Sequence, residues 1–107
     1  MQEFIKWLKM ESFGELIKSE TPVLVDFYAD WCGPCKAMEP VIKDVARSIT
    51  GKARVIKIDI DRNEATARSF NVTAVPTFIL FKKGNVVWRH PGMIDKGRLL
   101  SVLTKHT

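Results

Sequence analysis

The strongest constraint on the fold is a pair of apolar runs. They flank a long segment whose apolar residues recur at helical spacing. The runs over residues 23–28 and 54–60 are rich in β-branched and aromatic residues, which is typical of strands buried on both faces. Between them, apolar residues recur at helical spacing from Met38 to Ile49, and Pro40 is expected to kink that helix without ending it. A strand, a helix and a strand in this order predict a βαβ unit, whose two strands run parallel.

Shorter patterns place further elements around this unit. Residues 4–8 predict a first strand, residues 11–19 a helix, and residues 61–69 a short helix. Residues 77–81 and 86–90 flank a Gly-containing loop over residues 82–85, and this pattern predicts an antiparallel hairpin.

A final helix follows Asp95, whose side chain suits the N-cap position. Together the elements predict an α/β fold. We expect a single domain over residues 1–107, in which a central mixed sheet of about five strands is flanked on both faces by about four helices.

The composition narrows the class of protein. Among 107 residues, 17 are Lys or Arg and 12 are Asp or Glu, and the net charge of +5 is dispersed along the chain. Nucleic-acid binding needs a clustered basic patch and is therefore not favoured. The apolar stretches are much shorter than the about 20 residues that span a bilayer, so no membrane segment is predicted. Residues 1–7 lack the pattern of a signal peptide, which favours a cytoplasmic protein, although a presequence removed before residue 1 would leave no trace.

The two cysteines, Cys32 and Cys35, lie where the first buried strand gives way to the long helix. Residues three apart on a helical turn share one face, so their sulfur atoms can bond. The helix N-terminus stabilises negative charge and favours a thiolate at Cys32, which is the form that fast thiol–disulfide exchange requires. Gly33 allows a tight turn, and Pro34 fits the first helical turn, where a missing N–H costs little.

Two other uses of the cysteine pair stay open at this point. A Cys-X-X-Cys pair can be half of a zinc site, but the remaining candidates, His90 and His106, are much further apart than a usual zinc-binding His pair. A purely structural disulfide across two residues would remove little chain entropy. Redox activity is therefore the favoured interpretation.

The segment around the cysteines resembles the active-site segment of the thioredoxin family, and the resemblance covers essentially the whole chain. The central match is Ala29-Asp30-Trp31-Cys32-Gly33-Pro34-Cys35-Lys36. Further matches in the family's order and spacing are residues 23–40, residues 57–61, Val75-Pro76-Thr77, Gly84 and Gly92.

This resemblance implies the thioredoxin fold and a general protein-disulfide reductase that serves cell redox homeostasis and donates electrons to target enzymes. It also implies that the chain is a monomer that binds no cofactor and no metal. Its partners would be disulfide-containing target proteins and a thioredoxin reductase, which would return electrons from NADPH. The Gly33-Pro34 pair resembles the reducing members, since oxidising and isomerising relatives usually carry His there.

By the same resemblance, Cys32 is the nucleophile and Cys35, expected to be more buried, is the resolving thiol. Asp26 lies within an apolar run, where an ionised carboxylate is costly to bury. The resemblance makes it a general base whose pKa is raised by burial and modulated by Lys57. A buried Asp26–Lys57 ion pair with no further role is the structural alternative.

The expected target-binding residues are Trp31, Val75, Pro76 and Gly92. The resemblance implies a cis bond at Pro76, a Val75 backbone that bonds an extended target segment, and a Trp31 ring at the rim of the site. The alternatives are a core role for Trp31 and an ordinary turn at Gly92.

Three departures from the family pattern affect substrate preference more than chemistry. Tyr28 stands where many members carry Trp, and Ala74 where Gly is usual. In the segment His90-Pro91-Gly92-Met93, Pro91 removes a backbone donor and Met93 adds bulk. A dedicated reductant for one pathway and a binding module with incidental redox cycling are the rival functions.

Overall fold

The computed structural model describes residues 10–107, and the side chains of residues 13–107. Its mixed sheet contains β1 (Val23–Tyr28), β2 (Arg54–Asp59), β3 (Thr77–Lys82) and β4 (Asn85–Pro91). The strand order is β2-β1-β3-β4, with β1 and β2 parallel and the β1–β3 and β3–β4 pairs antiparallel. The predicted parallel pair and hairpin are confirmed. The strand expected over residues 4–8 lies outside the described residues, so the described sheet has four strands.

Four helices complete the described part of the chain: α1 (Met10–Leu16), α2 (Gly33–Ser48), α3 (Glu64–Ser69) and α4 (Lys96–Lys105). The α2 helix continues through Pro40, as its apolar stripe predicts. Asp95 caps α4, because its Oδ1 accepts a hydrogen bond from the Arg98 backbone N–H at 2.8 Å.

Two helix boundaries differ from the sequence prediction. The α1 helix ends at Leu16 rather than at residue 19, and single turns follow it. The α3 helix begins at Glu64 rather than at residue 61, because the buried Asp59 side chain accepts the backbone N–H of Asp61 at 2.8 Å and organises a turn there. Aspartate competes with helix geometry in this way when its side chain can bond the backbone two residues on.

The helices cover both faces of the sheet, as predicted. Successive strand residues point to opposite faces, so Leu24 packs with α2 and α4 whereas Val25 packs with α1. This alternation places Asp26 on the same face as Leu24, under α2. The alternation of side chains along β1 therefore decides which face of the sheet carries the Asp26 carboxyl group.

The β3–β4 hairpin turns through two residues, Lys83 and Gly84, rather than the four expected. Their φ angles are +55° and +85°. Two-residue hairpin loops favour left-handed backbone because it matches the twist of the strands. No helix in the described part of the chain is long and apolar enough to cross a membrane.

Candidate active site

The cysteine pair sits at the junction of β1 and α2. Cys32 is the N-cap residue of α2, and its Sγ accepts a hydrogen bond from the Cys35 backbone N–H at 3.1 Å. The two residues form a disulfide with their Cα atoms 5.3 Å apart. Pro34 lies in the first helical turn as expected, and Gly33 is the first residue of α2, where its φ is not positive.

Both cysteines are buried to the same extent. Their relative exposures are 3% for Cys32 and 5% for Cys35, so the expected difference in burial is not observed. The reason is that both belong to one apolar cluster with Tyr28 and Ala29, against which Val75 packs.

The loop before β3 approaches Cys32 from the other side. The Val75–Pro76 peptide bond is cis, as the resemblance implies, and the Val75 carbonyl oxygen lies 3.6 Å from Cys32 Sγ. The backbone N–H of Gly92 donates to the Pro76 carbonyl at 2.7 Å. Gly92 has a φ of +92°, which other residues rarely adopt. This backbone conformation explains why glycine occupies the position.

Trp31 lies at the rim of the site. It is 69% exposed, and its Nε1–H donates to Asp61 Oδ2 at 2.9 Å, so the alternative of a core residue is wrong. Sequence reasoning did not single out Asp61. The signal was available, because Trp31 and Asp61 follow β1 and β2, and the carboxyl ends of parallel strands share one edge of the sheet.

The Asp26 carboxyl group is buried, and hydrogen bonding does little to offset the cost of burying it. It is 3% exposed, and its Oδ1 has no hydrogen-bond partner among the described residues. Burial raises the pKa of Asp26 to about 7, opposed by the Lys57 ammonium and assisted by the Glu39 carboxylate. Such a group changes its protonation near neutral pH.

Lys57 does not form the ion pair with Asp26 that is the structural alternative to a base. Its Nζ lies 3.6 Å from Glu39 Oε2 and 4.3 Å from the centre of the Tyr28 ring, and no ion pair with Asp26 is formed within 4.0 Å. The ammonium prefers partners closer to water, since pairing with Asp26 would desolvate both charges. Glu39 was missed because a glutamate on an exposed helix face carries no sequence signal.

Comparisons with known proteins agree with this geometry. The family model described as Thioredoxin matches residues 4–105. The chain belongs to the thioredoxin family. Thioredoxin from Pseudomonas aeruginosa is 44% identical over 104 residues, which is 96% of each chain.

Solved thioredoxin structures share the fold. A mutant thioredoxin from Halobacterium salinarum superposes with a TM-score of 0.88 at 36% identity, covering 96% of this chain and 90% of that one. Mitochondrial thioredoxin 3 from Saccharomyces cerevisiae, in its oxidised form, gives a TM-score of 0.85 at 33% identity and covers 94% of each chain.

Membership of the thioredoxin family establishes the class of activity. The chain is a protein-disulfide oxidoreductase that exchanges its Cys32–Cys35 dithiol and disulfide with disulfide-containing targets. This chemistry is carried by the cysteine pair itself, and thioredoxins generally bind no cofactor. In the described residues, no three His, Cys, Asp or Glu side chains are grouped to hold a metal ion.

The segment that departs from the thioredoxin pattern borders a groove. Met93 is 53% exposed, and the His90 ring nitrogen Nε2 lies 3.0 Å from its carbonyl oxygen. The groove has a volume of about 340 Å³ and an almost entirely apolar lining. It is lined by Ala37, Met38, Val41, Met93, Ile94 and Asp95.

Proposed function

We propose that this chain is a general protein-disulfide reductase in which Cys32 attacks the target and Cys35 releases it. The observation that carries the proposal is the position of Cys32, at the N-cap of α2 and 3.6 Å from the Val75 carbonyl beside a cis proline. The helix N-terminus stabilises the thiolate, and the Val75 backbone is available to an incoming extended segment.

In the first step the Cys32 thiolate attacks one sulfur of a target disulfide. A bond forms between Cys32 Sγ and that sulfur, and the target's own S–S bond breaks. The other target sulfur leaves as a thiolate and takes up a proton from water. Cys32 and the target are then joined by a mixed disulfide.

In the second step Cys35 passes its thiol proton through water to the Asp26 carboxylate and attacks Cys32 Sγ. The Cys32–Cys35 bond forms, the mixed disulfide breaks, and the target leaves with its second sulfur reduced. Two protein thiols are oxidised and one target disulfide is reduced. A base whose pKa lies at about 7 is suited to this step, because it is partly ionised at neutral pH yet still holds a proton well.

The target segment would bind between the exposed Trp31 ring and the Val75-Pro76 backbone, with Gly92 behind it. Trp31 is held at the rim by its hydrogen bond to Asp61, so its ring offers an ordered apolar surface. The Gly92 N–H bond to the Pro76 carbonyl fixes the opposite wall.

The disulfide present in the structure is the product state of this cycle. To repeat the reaction it must accept two electrons. We propose a thioredoxin reductase as the donor and NADPH as its source of electrons, with the chain acting as a cytoplasmic monomer.

The proposal is tested by reduction of insulin with dithiothreitol. We expect Cys32→Ser to lower the rate to that of dithiothreitol alone, because no mixed disulfide can form. In a separate incubation with oxidised target proteins and without dithiothreitol, Cys35→Ser should accumulate covalent complexes that added reductant releases. Ser101→Ala, an exposed change on α4, is the control and should match the unaltered chain.

Two results would contradict the assignment. An active Cys32→Ser variant would show that Cys32 is not the nucleophile, and the absence of trapped complexes would show that Cys35 is not the resolving thiol. Target binding that survives loss of both cysteines would favour the binding-module alternative.

A further inference from the structure

Charged groups from two elements, Lys57 on β2 and Glu39 on α2, act on the buried Asp26 carboxyl. Asp26 on β1 and Lys57 on β2 are paired in the register of the parallel strands. Glu39 comes from α2, which covers this face, and Tyr28 comes from the same strand as Asp26. On its other side, β3 places Phe78 opposite Asp26, and this residue does not titrate.

We propose that Glu39 is a positioning residue of the active site, which holds the Lys57 ammonium away from Asp26. The inference rests on the proposed role of Asp26 as the base. Lys57 Nζ lies 3.6 Å from Glu39 Oε2, while its ion pair with the register partner Asp26 is not formed within 4.0 Å. The Tyr28 ring, 4.3 Å from Nζ, makes a second contact with the ammonium.

The Glu39–Lys57 contact affects the protonation of Asp26 and contributes little to the stability of the fold. The side chain of Glu39 is 50% exposed and that of Lys57 is 15% exposed, and ion pairs open to water contribute little to folding. An ammonium closer to Asp26 would favour the carboxylate and so lower the pKa of Asp26. Burial is the main cause of the raised pKa of Asp26, and Glu39 adds to it by occupying Lys57, in agreement with the direction of its own charge effect.

The test is a titration of the Asp26 carboxyl carbon by NMR in Glu39→Gln, with the chain in the disulfide form so that no cysteine titrates. We expect the midpoint to move to lower pH, because Lys57 gains the freedom to approach Asp26. Asp44→Asn is the matched control. Asp44 lies on the same helix, its side chain is 46% exposed, and it pairs with Arg47 and Lys96.

A double-variant cycle shows whether Glu39 acts through Lys57. Lys57→Met alone should raise the Asp26 midpoint, and adding Glu39→Gln to Lys57→Met should then change it much less than in the unaltered chain. An unchanged midpoint in Glu39→Gln would overturn the proposal. An equal shift of the Asp26 midpoint in Asp44→Asn would also overturn it. So would a shift of the same size when Glu39→Gln is added to Lys57→Met.

The same variants separate this inference from the proposed function. If Glu39 positions Lys57 and Asp26 is the base, the pH profile of the second chemical step moves with the Asp26 midpoint in Glu39→Gln. If the midpoint moves and that profile does not, the role of Asp26 as base fails while the positioning by Glu39 stands.

Discussion

A single buried carboxyl group links the chemistry of this chain to its stability. Asp26 lies on the face of β1 that α2 covers, where its Oδ1 has no hydrogen-bond partner among the described residues. An unpartnered ionised carboxylate in such a place destabilises the folded state. The same desolvation keeps the proton available near neutral pH, so the site retains a group that folding alone would not favour.

The pH dependence of folding in Asp26→Asn follows from this. The unfolded chain ionises Asp26 near its ordinary pKa of 3.8, whereas the folded chain holds the proton until about pH 7. Between these values the folded state binds more protons, so its stability falls as pH rises. Asp26→Asn removes this loss, and we expect its advantage to grow from pH 4 to pH 7 and then stay constant. At about 1.4 kcal/mol per pKa unit, the upper limit is on the order of 4 kcal/mol.

The measurement is urea unfolding at a series of pH values, with Asp44→Asn as the exposed carboxylate control. Stability curves for Asp26→Asn and the unaltered chain that run parallel across this range would show that Asp26 is ionised in the folded state at all these pH values.

At the scale of elements, the hairpin and α1 show that the same substitution has opposite effects in different backbone conformations. Gly84 has a φ of +85°, where an added Cβ is strained even though its nearest contact would be an ordinary 3.6 Å to Lys18 Cγ. Gly14 is within α1, and an added Cβ there would meet no atom within 4 Å.

We therefore expect Gly84→Ala to destabilise the chain by about 1 kcal/mol. Gly14→Ala should stabilise it by up to about 1 kcal/mol, because alanine is the better helix former. Urea midpoints measured side by side give both values. A loss of stability in Gly14→Ala, or none in Gly84→Ala, would contradict these conformations.

At the scale of the whole molecule, one sheet holds two apolar clusters together. Neighbouring residues of β3 contribute to opposite faces, with Ile79 in the cluster under α1 and Leu80 in the cluster under α2 and α4. Both side chains are fully buried. Since each cluster depends on the same strands, we expect the chain to unfold as a single domain.

Ile79→Ala and Leu80→Ala should each lower the free energy of unfolding by about 2–5 kcal/mol. Far-UV and near-UV circular dichroism should report coincident transitions in both variants, because loss of either cluster exposes the shared sheet. Val87→Ala, at an exposed position of β4, is the control and should cost no more than about 0.5 kcal/mol. Separate transitions for the two probes would contradict a single cooperative unit.

The βαβ unit, the hairpin and the Asp95 cap were predictable because each follows from residue patterns within short continuous segments and from the order of those segments. The cysteine pair at a helix N-terminus was predictable for the same reason, since Cys32 and Pro34 mark where α2 begins. The start of α3 was not, because it depends on one buried side chain, that of Asp59, and its bonds to the backbone.

The sequence by itself thus determined most of the elements, the parallel strand pair, the hairpin and the chemistry of the two cysteines. Tertiary structure decided which distant side chains meet: Lys57 pairs with Glu39 instead of Asp26, and Trp31 bonds Asp61 at the rim. It also left Cys32 and Cys35 equally buried. Local patterns set backbone conformation, whereas the partner of a charged or polar group depends on its access to water and on competing groups that only the packed molecule brings within reach.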